Sequence, residues 1–367
     1  MANIKEINVE FGQSLIDLAL MHYGCYEGIY ELIRLNPSIT DITLLPVYLT
    51  PLKAHSIVPQ ITANNIEIQK YITESGGING QWNRHIAPFM PPPPPLVYDV
   101  HAEAYLIAAS IIKTDSYSIS TPQQVTGLEI WNAVDTYVKT LKIKGIWNSY
   151  IAIWLWLGDT ATSRKFNLKN PLDTNAAYRL AFAGGITHGP LGFHPNGTNG
   201  FADTFINPSL HLNIEESFFG YYNQDNTSVN TREIGASNGS YNLWIQTKIE
   251  GNNRMQVRFH SATIIDSGSG DTSDLRAVNH VQREGGANVA MFNRKDLIRR
   301  ATDNTLNARP NAKIALGALS TATVPNSFSS RRHSMTYVGN AFFSPTQYID
   351  HVDAIDALML ALKRNVV

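Results

Sequence analysis

Near Gly145 the apolar positions of the chain change from helical spacing to alternation, and that change organises the sequence. At the start, Ile4, Ile7 and Val9 with polar neighbours predict a short strand over residues 4–10. A helix follows with Ser14 as N-cap, Leu15, Leu18, Ala19 and His22 on one face, and Gly24 at its end. A second helix runs from about Tyr26 to Leu35 with Ile29, Leu32 and Ile33 inward, and Asn36-Pro37 stops it. LLPVYLTPL then predicts a second strand.

Residues 62–98 predict a connector. Asn65 to Tyr71 has room for one or two helical turns, ESGGINGQ is loop-like, and Pro91 to Pro95 are five consecutive prolines. Such a run favours polyproline II, a semi-rigid spacer of about 3 Å per residue. From 99 to 145 the pattern is helical. AEAYLIAASII is apolar all round its middle, and Thr121-Pro122 predicts an N-cap with proline at N1. Ile130, Val134, Tyr137, Val138 and Leu141 form one face of that helix, and Gly145 closes it.

Beyond Gly145, the seven apolar residues Ile151 to Leu157 suit a buried strand, being too few to cross a bilayer. Leu243, Ile245, Thr247 and Ile249 alternate with polar residues and Trp244, as do Met255, Val257 and Phe259. Gly251-Asn252-Asn253 between them predicts a hairpin turn. Val289 with Met291, and Ile314 with Leu316, predict further strands. Ser344-Pro345 caps a last helix lined by Tyr348, Val352, Ile355, Met359 and Leu362. The expected fold class is α+β multidomain and mainly β. A βααβ module spans 1–61, the Pro-rich connector 62–98 and a helical segment 99–145; an antiparallel β-sandwich with a C-terminal helix spans 146–367.

Two stretches carry resemblances. GIW, GDTATSRKFNLKNPLDTNAAYRL, GG-T-H and PNGTNGFADT resemble a concanavalin A-like jelly-roll domain of phage and prophage tail proteins, especially those of Bacteroidota. FGQSLIDLALMHYG, IYELIRLNPSITD and LLPVYLTPL resemble the LysM-like modules of tail and baseplate proteins, with Pro46-Val47 where that family usually has a Pro-Gly turn. The resemblances imply a structural, homo-oligomeric component of a phage or contractile injection particle. It would be anchored to other tail or baseplate proteins through the LysM-like module and would hold the jelly roll outward. The alternative is a glycan-binding adhesin that contacts cell-surface polysaccharide or peptidoglycan. The resemblance brings no catalytic residues.

Composition narrows these readings. With 29 Lys and Arg against 30 Asp and Glu, the net charge is −1, so no basic footprint calls for nucleic acid and no polybasic patch for a membrane. Cys25 is the single cysteine and forms no internal disulfide. MANIKEINVEFGQ lacks the basic-then-apolar pattern of a secretory signal, which predicts folding in the bacterial cytoplasm and work in an assembled tail.

Candidate chemistry is sparse, and neither enzyme activity nor a metal or cofactor is expected. Glycoside hydrolysis needs two carboxylates at fixed separation, whereas Glu215-Glu216 would face opposite ways on a strand and Glu233 stands alone. His188, His194 and Asp203 match no metal-ligand spacing, and Asp266 to Asp271 with Asp274 fails the EF-hand pattern. The sequons at Asn196, Asn226 and Asn238 read as coincidence in an Asn-rich chain. Sugar recognition calls for aromatic faces beside planar amides and acids. Tyr221, Tyr222, Asn223 and Asp225, together with His194, Asn196 and Trp244, are the candidate glycan-binding residues.

Overall fold

The computed structural model describes Ile4–Ile7, Leu18, Ala19, Leu32, Leu52–His55, and residues 97–366 except 121–122, 252, 269–273, 304–307, 322–323 and 342. The chain divides into two compact units, Met1–Val97 and Tyr98–Val367. In the first, β1 (Ile4–Ile7) pairs antiparallel with β2 (Leu52–His55), Ile4 opposite His55 and Ile7 opposite Leu52. Leu18, Ala19 and Leu32 are helical and buried. The second strand thus lies just past the predicted LLPVYLTPL and shares only Leu52 with it. Residues 44–51 of that stretch lie outside the described residues. The rest of the predicted βααβ module and the proline run lie outside the described residues.

The second unit opens with α1 (Val100–Ala108), capped by the Asp99 side chain accepting from the His101 N–H. A hairpin of β3 (Ser116–Ser120) and β4 (Gln123–Thr126) follows, and then α2 (Gly127–Ile143). The expected start of α2 at Thr121-Pro122 is therefore corrected. Thr126 is the N-cap, in a reciprocal box with Glu129, and the residues before it pair as strand. At the other end Gly145 takes φ +71, so its N–H reaches the Lys142 carbonyl and that of Ile146 the Leu141 carbonyl. This Schellman closure fixes how the chain enters the first long strand.

Two antiparallel sheets follow. The first comprises β5 (Tyr150–Trp154), β7 (Ile186–Gly189), β8 (Gly192–Pro195), β10 (Phe218–Asn223), β15 (Ala277–Arg283), β16 (Asn288–Asn293), β17 (Asp296–Thr302) and β19 (His333–Gly339). Its order is β17-β16-β15-β10-β19-β8-β7, with β5 also against β19. The second sheet comprises β6 (Ala181–Ala183), β9 (Phe201–Asp203), β11 (Ile234–Ser237), β12 (Asn242–Gln246), β13 (Gln256–Ser261), β14 (Ile265–Asp266) and β18 (Ala315–Leu316), in the order β14-β13-β12-β11-β18-β9-β6. Consecutive strands pair in β15–β17 and in β11–β14, and neighbours far apart in sequence, such as β10 beside β15 and β19, join these meanders through long crossovers.

The sandwich is the second of two cores. Phe219, Tyr221 and Val338 from the first sheet meet Ile234, Ile245 and Phe259 from the second. Two single-turn helices, α3 (Ala161–Arg164) and α4 (Pro208–His211), lie in the crossovers, and on the other side of the first sheet Phe218, Tyr222, Met335 and Tyr337 meet α1, α2 and α5 (Pro345–Ala361). The helical segment and the predicted C-terminal helix thus form a third layer, and the first sheet is covered on both faces. That is why β10, β15 and β19 are buried along their whole length. Among the described residues of Tyr98–Val367, the outer face of the second sheet is crossed by the 317–329 segment, Ser320 beside Ala236 and Phe328 beside Arg232, rather than by a helical layer.

Candidate functional site

The residues singled out for sugar binding do not come together. Adjacent residues on a strand face opposite ways, so Tyr221 enters the sandwich and Tyr222 the helical layer, at 0% and 1% exposure. The Tyr221 hydroxyl is joined to Thr247 Oγ1 and its ring lies 4.4 Å from that of His333. The Tyr222 hydroxyl accepts the Val366 N–H at 3.0 Å. Neither ring has a face free for a sugar. Asn223 donates to the Leu275 carbonyl at 2.8 Å, and Asp225 holds Arg332 through its side chain and its N–H, both at 2.7 Å. His194 Nε2 is 3.1 Å from the Ser330 carbonyl. Asn196 Oδ1 accepts the N–H groups of Thr198, Asn199 and Gly200, each at 3.0 Å, and so shapes its own loop. Trp244 points to the outer side of the second sheet, yet it is only 2% exposed, covered by Arg232.

The other titratable candidates are structural. Glu233 is fully buried against Arg331, which also donates to the carbonyls of Thr227 (2.6 Å) and Lys248 (3.1 Å). Burial pushes the Glu233 carboxyl up, and the Arg331 charge and the Thr247 N–H oppose that rise. Glu215 and Glu216 lie in the loop before β10 rather than on a strand. His188 packs against Phe182, and burial followed by the nearby Arg164 charge pulls its pKa down to about 4. No group of three His, Cys, Asp or Glu among the described residues is placed to hold a metal. Asp266 is tied to Gln256 and to the Gly268 N–H, and residues 269–273 of that acidic loop lie outside the described residues.

The open face of the second sheet carries a cleft of about 470 Å³. Ala202 points into the sandwich, so its neighbours Phe201 and Asp203 point out and form one wall. Asp203 Oδ1 accepts the Phe205 N–H at 2.7 Å, a local turn that sets Phe205 at φ +58 and swings the chain off the sheet. The turn is fastened to the opposite wall, with Thr204 Oγ1 donating to the Ile314 carbonyl and the Ile314 N–H to that of Ile206, each 2.8 Å. Asn207 Nδ2 then reaches Asn311 Oδ1 at 2.7 Å. Lys313 bridges back to Asp203 at 3.1 Å, with its ammonium 4.5 Å from the Phe205 ring centre. Thr321 and Pro325 close the far side.

The cleft therefore offers a half-buried aromatic ring, two side-chain amides, one carboxylate, one ammonium and the hydroxyls of Ser320 and Thr321. Phe201 is steadied from behind by Phe328, with ring centres 6.3 Å apart. A larger concavity of about 580 Å³ lies between α2 and α5, where Ala133, Ala354, Ala357 and Leu358 supply small aliphatic walls. Asn132, Glu129, Asp350 and Asp353 also line it, but its one aromatic, Tyr137, is 2% exposed and offers no ring face.

No family model matches the chain, and no curated relative matches it. Solved structures resemble it slightly. A mutant Trypanosoma rangeli sialidase with trans-sialidase activity is 10% identical with a TM-score of 0.43, covering 62% of this chain and 39% of that one. The CBM40 domain of Ruminococcus gnavus IT-sialidase is 13% identical with a TM-score of 0.30, covering 38% of this chain and 83% of that one. The binding domain of Botulinum neurotoxin DC, solved with rat synaptotagmin II, is 12% identical with a TM-score of 0.39, covering 56% of this chain and 52% of that one. These likenesses assign this chain no ligand and no residue role.

Sequence reasoning came close to one wall of the cleft. The stretch PNGTNGFADT contains Phe201 and Asp203, though there only Asp203 was weighed, as a metal ligand. Asn311 and Lys313 follow more than a hundred residues later and carry no local signal. Only the pairing of β18 with β9 brings them in.

Proposed function

We propose that this protein binds a glycan in the cleft bounded by Phe201, Asp203, Asn207, Asn311 and Lys313. The observation that carries the reading is the pairing of an outward aromatic ring with two amides and an acid on the second sheet, on the side away from the sandwich core. A pyranose ring has apolar faces and an equatorial rim of hydroxyls. Phe201 matches the first; the second falls to the Asn311 amide N–H groups and the remaining positions on Asn207 and Asp203, whose other sites are taken by Ser209, Asn311, Phe205 and Lys313. The volume falls within the range usual for small-ligand sites, about 300–1,000 Å³.

The reading is of binding without hydrolysis. A two-carboxylate mechanism needs a pair separated by about 5–9.5 Å. Asp203 is the single carboxylate lining the cleft, and Lys313 neutralises it. The setting we propose is the tail of a phage or related contractile particle, where such a site would hold the particle to a polysaccharide-bearing cell. That setting rests on the sequence resemblance alone.

The test is retention of the full chain on immobilised bacterial polysaccharides, beside Phe201→Ala and Asn311→Ala. Wild-type retention on at least one polysaccharide, weakened about tenfold by Phe201→Ala as expected of a central aromatic contact, supports the reading. Equal retention of all three proteins, or release of shortened sugar, contradicts it.

A further inference from the structure

The register of the second sheet lines up Asp203, Ala315, Gly235, Trp244 and Arg258 in one row across β9, β18, β11, β12 and β13. Leu243, Ile245, Val257 and Phe259 face the sandwich core, so Trp244 and Arg258 point to the other side, where the cleft opens; the indole itself is buried and the half-buried Arg232 and Arg258 are what solvent reaches there. At about 4.8 Å per strand, Trp244 stands roughly 14 Å from Asp203 and Arg258 roughly 19 Å. Between them the 318–319 backbone crosses close over Gly235, where an added Cβ would lie 2.8 Å from Leu319 Cδ1.

Trp244 lies between two guanidiniums, with Arg232 Cζ 4.0 Å from its ring centre and Arg258 Cζ 5.7 Å. Arg232 is held in place by the Thr231 carbonyl at 3.2 Å and by Gln246 Oε1, both neutral. Among the described residues Arg258 has no hydrogen bond and no ion pair, and the Nε atoms of both arginines are buried without a partner. Nearby carboxylates are committed elsewhere. Glu233 turns inward to Arg331, and Asp266 holds Gln256 at 2.9 Å and Arg254 at 3.4 Å. Two like charges are thus gathered on one indole, and the Glu233 charge, which acts on Arg232 from the core side, makes no ion pair with either. An indole face attracts a guanidinium but leaves the in-plane donors unmade.

We propose that Arg232, Trp244 and Arg258 form an anion subsite for the carboxylate of an acidic sugar, of uronic or sialic type, within a glycan whose neighbouring residues occupy the cleft. The inference rests on the glycan-binding reading. A carboxylate is the planar acceptor that a guanidinium fork meets with two parallel hydrogen bonds. The subsite lies along the same strand row as the cleft, so one extended saccharide can reach both.

The experiment is calorimetric titration of the full chain with two acidic oligosaccharides, an oligogalacturonate and sialyllactose, each beside its counterpart with the carboxyls reduced to alcohols. Wild type is expected to prefer the acidic member of one pair, and the preferred pair identifies the sugar type. Arg258→Gln should remove that preference, a loss of about ten- to a hundredfold in affinity for the acidic form, and leave the reduced form unchanged. The Arg258 guanidinium has no hydrogen bond or ion pair among the described residues, so Arg258→Gln should keep the fold, which thermal unfolding checks. Equal affinity for both members of each pair overturns the subsite, as does an acid preference that survives Arg258→Gln. If Phe201→Ala still weakens binding in those cases, the cleft stands without the subsite. If it does not, both fall.

Discussion

Acidification should unfold the sandwich unit from within. Four histidines, His260, His280, His333 and His351, are 0% exposed in the two cores. Burial, reinforced by Arg283 beside His260 and Arg331 beside His333, pulls His260, His280 and His333 down to about 3. Burial and the neighbouring His280 hold His351 well below the usual histidine range. Around the central pair stand hydroxyls and an amide rather than carboxylates. His280 meets Tyr337 and Gln282, each at 3.2 Å, and His351 meets Tyr150. His351 Nε2 and the Tyr137 hydroxyl have no partner among the described residues.

A histidine kept neutral in the folded state and free to protonate in the unfolded state, at a pKa near 6.5, stabilises the fold above that pH. The contribution is lost as pH falls from about 6.5 towards the folded value. At pH 5 each such histidine costs about 2 kcal/mol, so four cost about 8 kcal/mol, against a total domain stability of about 5–15 kcal/mol. The raised carboxyls of Glu233 and Asp356 act in the opposite sense and offset part of this. Urea denaturation between pH 7.5 and 5 tests the figure, followed by tryptophan fluorescence. Five of the six tryptophans lie in Tyr98–Val367. The expected slope below pH 6 is several protons taken up on unfolding, and His280→Gln should lower it by one whatever it does to absolute stability. A flat profile over this range would refute the reasoning.

Two further perturbations follow from the packing. Arg331→Met leaves Glu233 charged and unpaired in the core and should cost about 3–5 kcal/mol by urea denaturation, part of it recovered by Glu233→Leu on the same chain. A variant within 1 kcal/mol of wild type would mean the pair is not buried as described. Gly220→Ala places a Cβ 2.4 Å from the Tyr337 hydroxyl and 2.5 Å from the Asn279 carbonyl, so β10 cannot keep its place between β15 and β19. A loss of about 1–3 kcal/mol or more in thermal unfolding is expected, and an unchanged melting temperature would contradict the register.

Much of the fold was legible where a single element carries its own signal. The apolar run at Ile151–Leu157 is the buried β5 and its continuation, the Leu243 and Val257 alternations pair as β12 and β13, and Ser344-Pro345 opens α5 through a capping box with Gln347. The signals that failed were local ones with two physical solutions. Thr121-Pro122 is as good an N-cap on paper as Thr126 with Glu129, and the β3–β4 ladder decides between them.

The tyrosine pair at 221–222 reads as a polar, aromatic surface because sequence does not show that a helical layer covers the first sheet. With both faces closed, the hydroxyls are taken up by Thr247 and by the last residues of the chain. The cleft and the arginine pair were hidden for another reason. Their residues come from β9, the 311–313 segment, β12 and β13, and only strand pairing over gaps of up to about a hundred residues brings them onto one face.

The most direct test of the central claim is a hydrogen-exchange footprint of the full chain, with and without a saturating oligosaccharide from the polysaccharide that retains it. Slowed exchange over 201–207, 311–316 and 320–325, with no change along α2 and α5, is the predicted result. Protection confined to the α2–α5 groove, or none in the cleft segments at saturation, would contradict it.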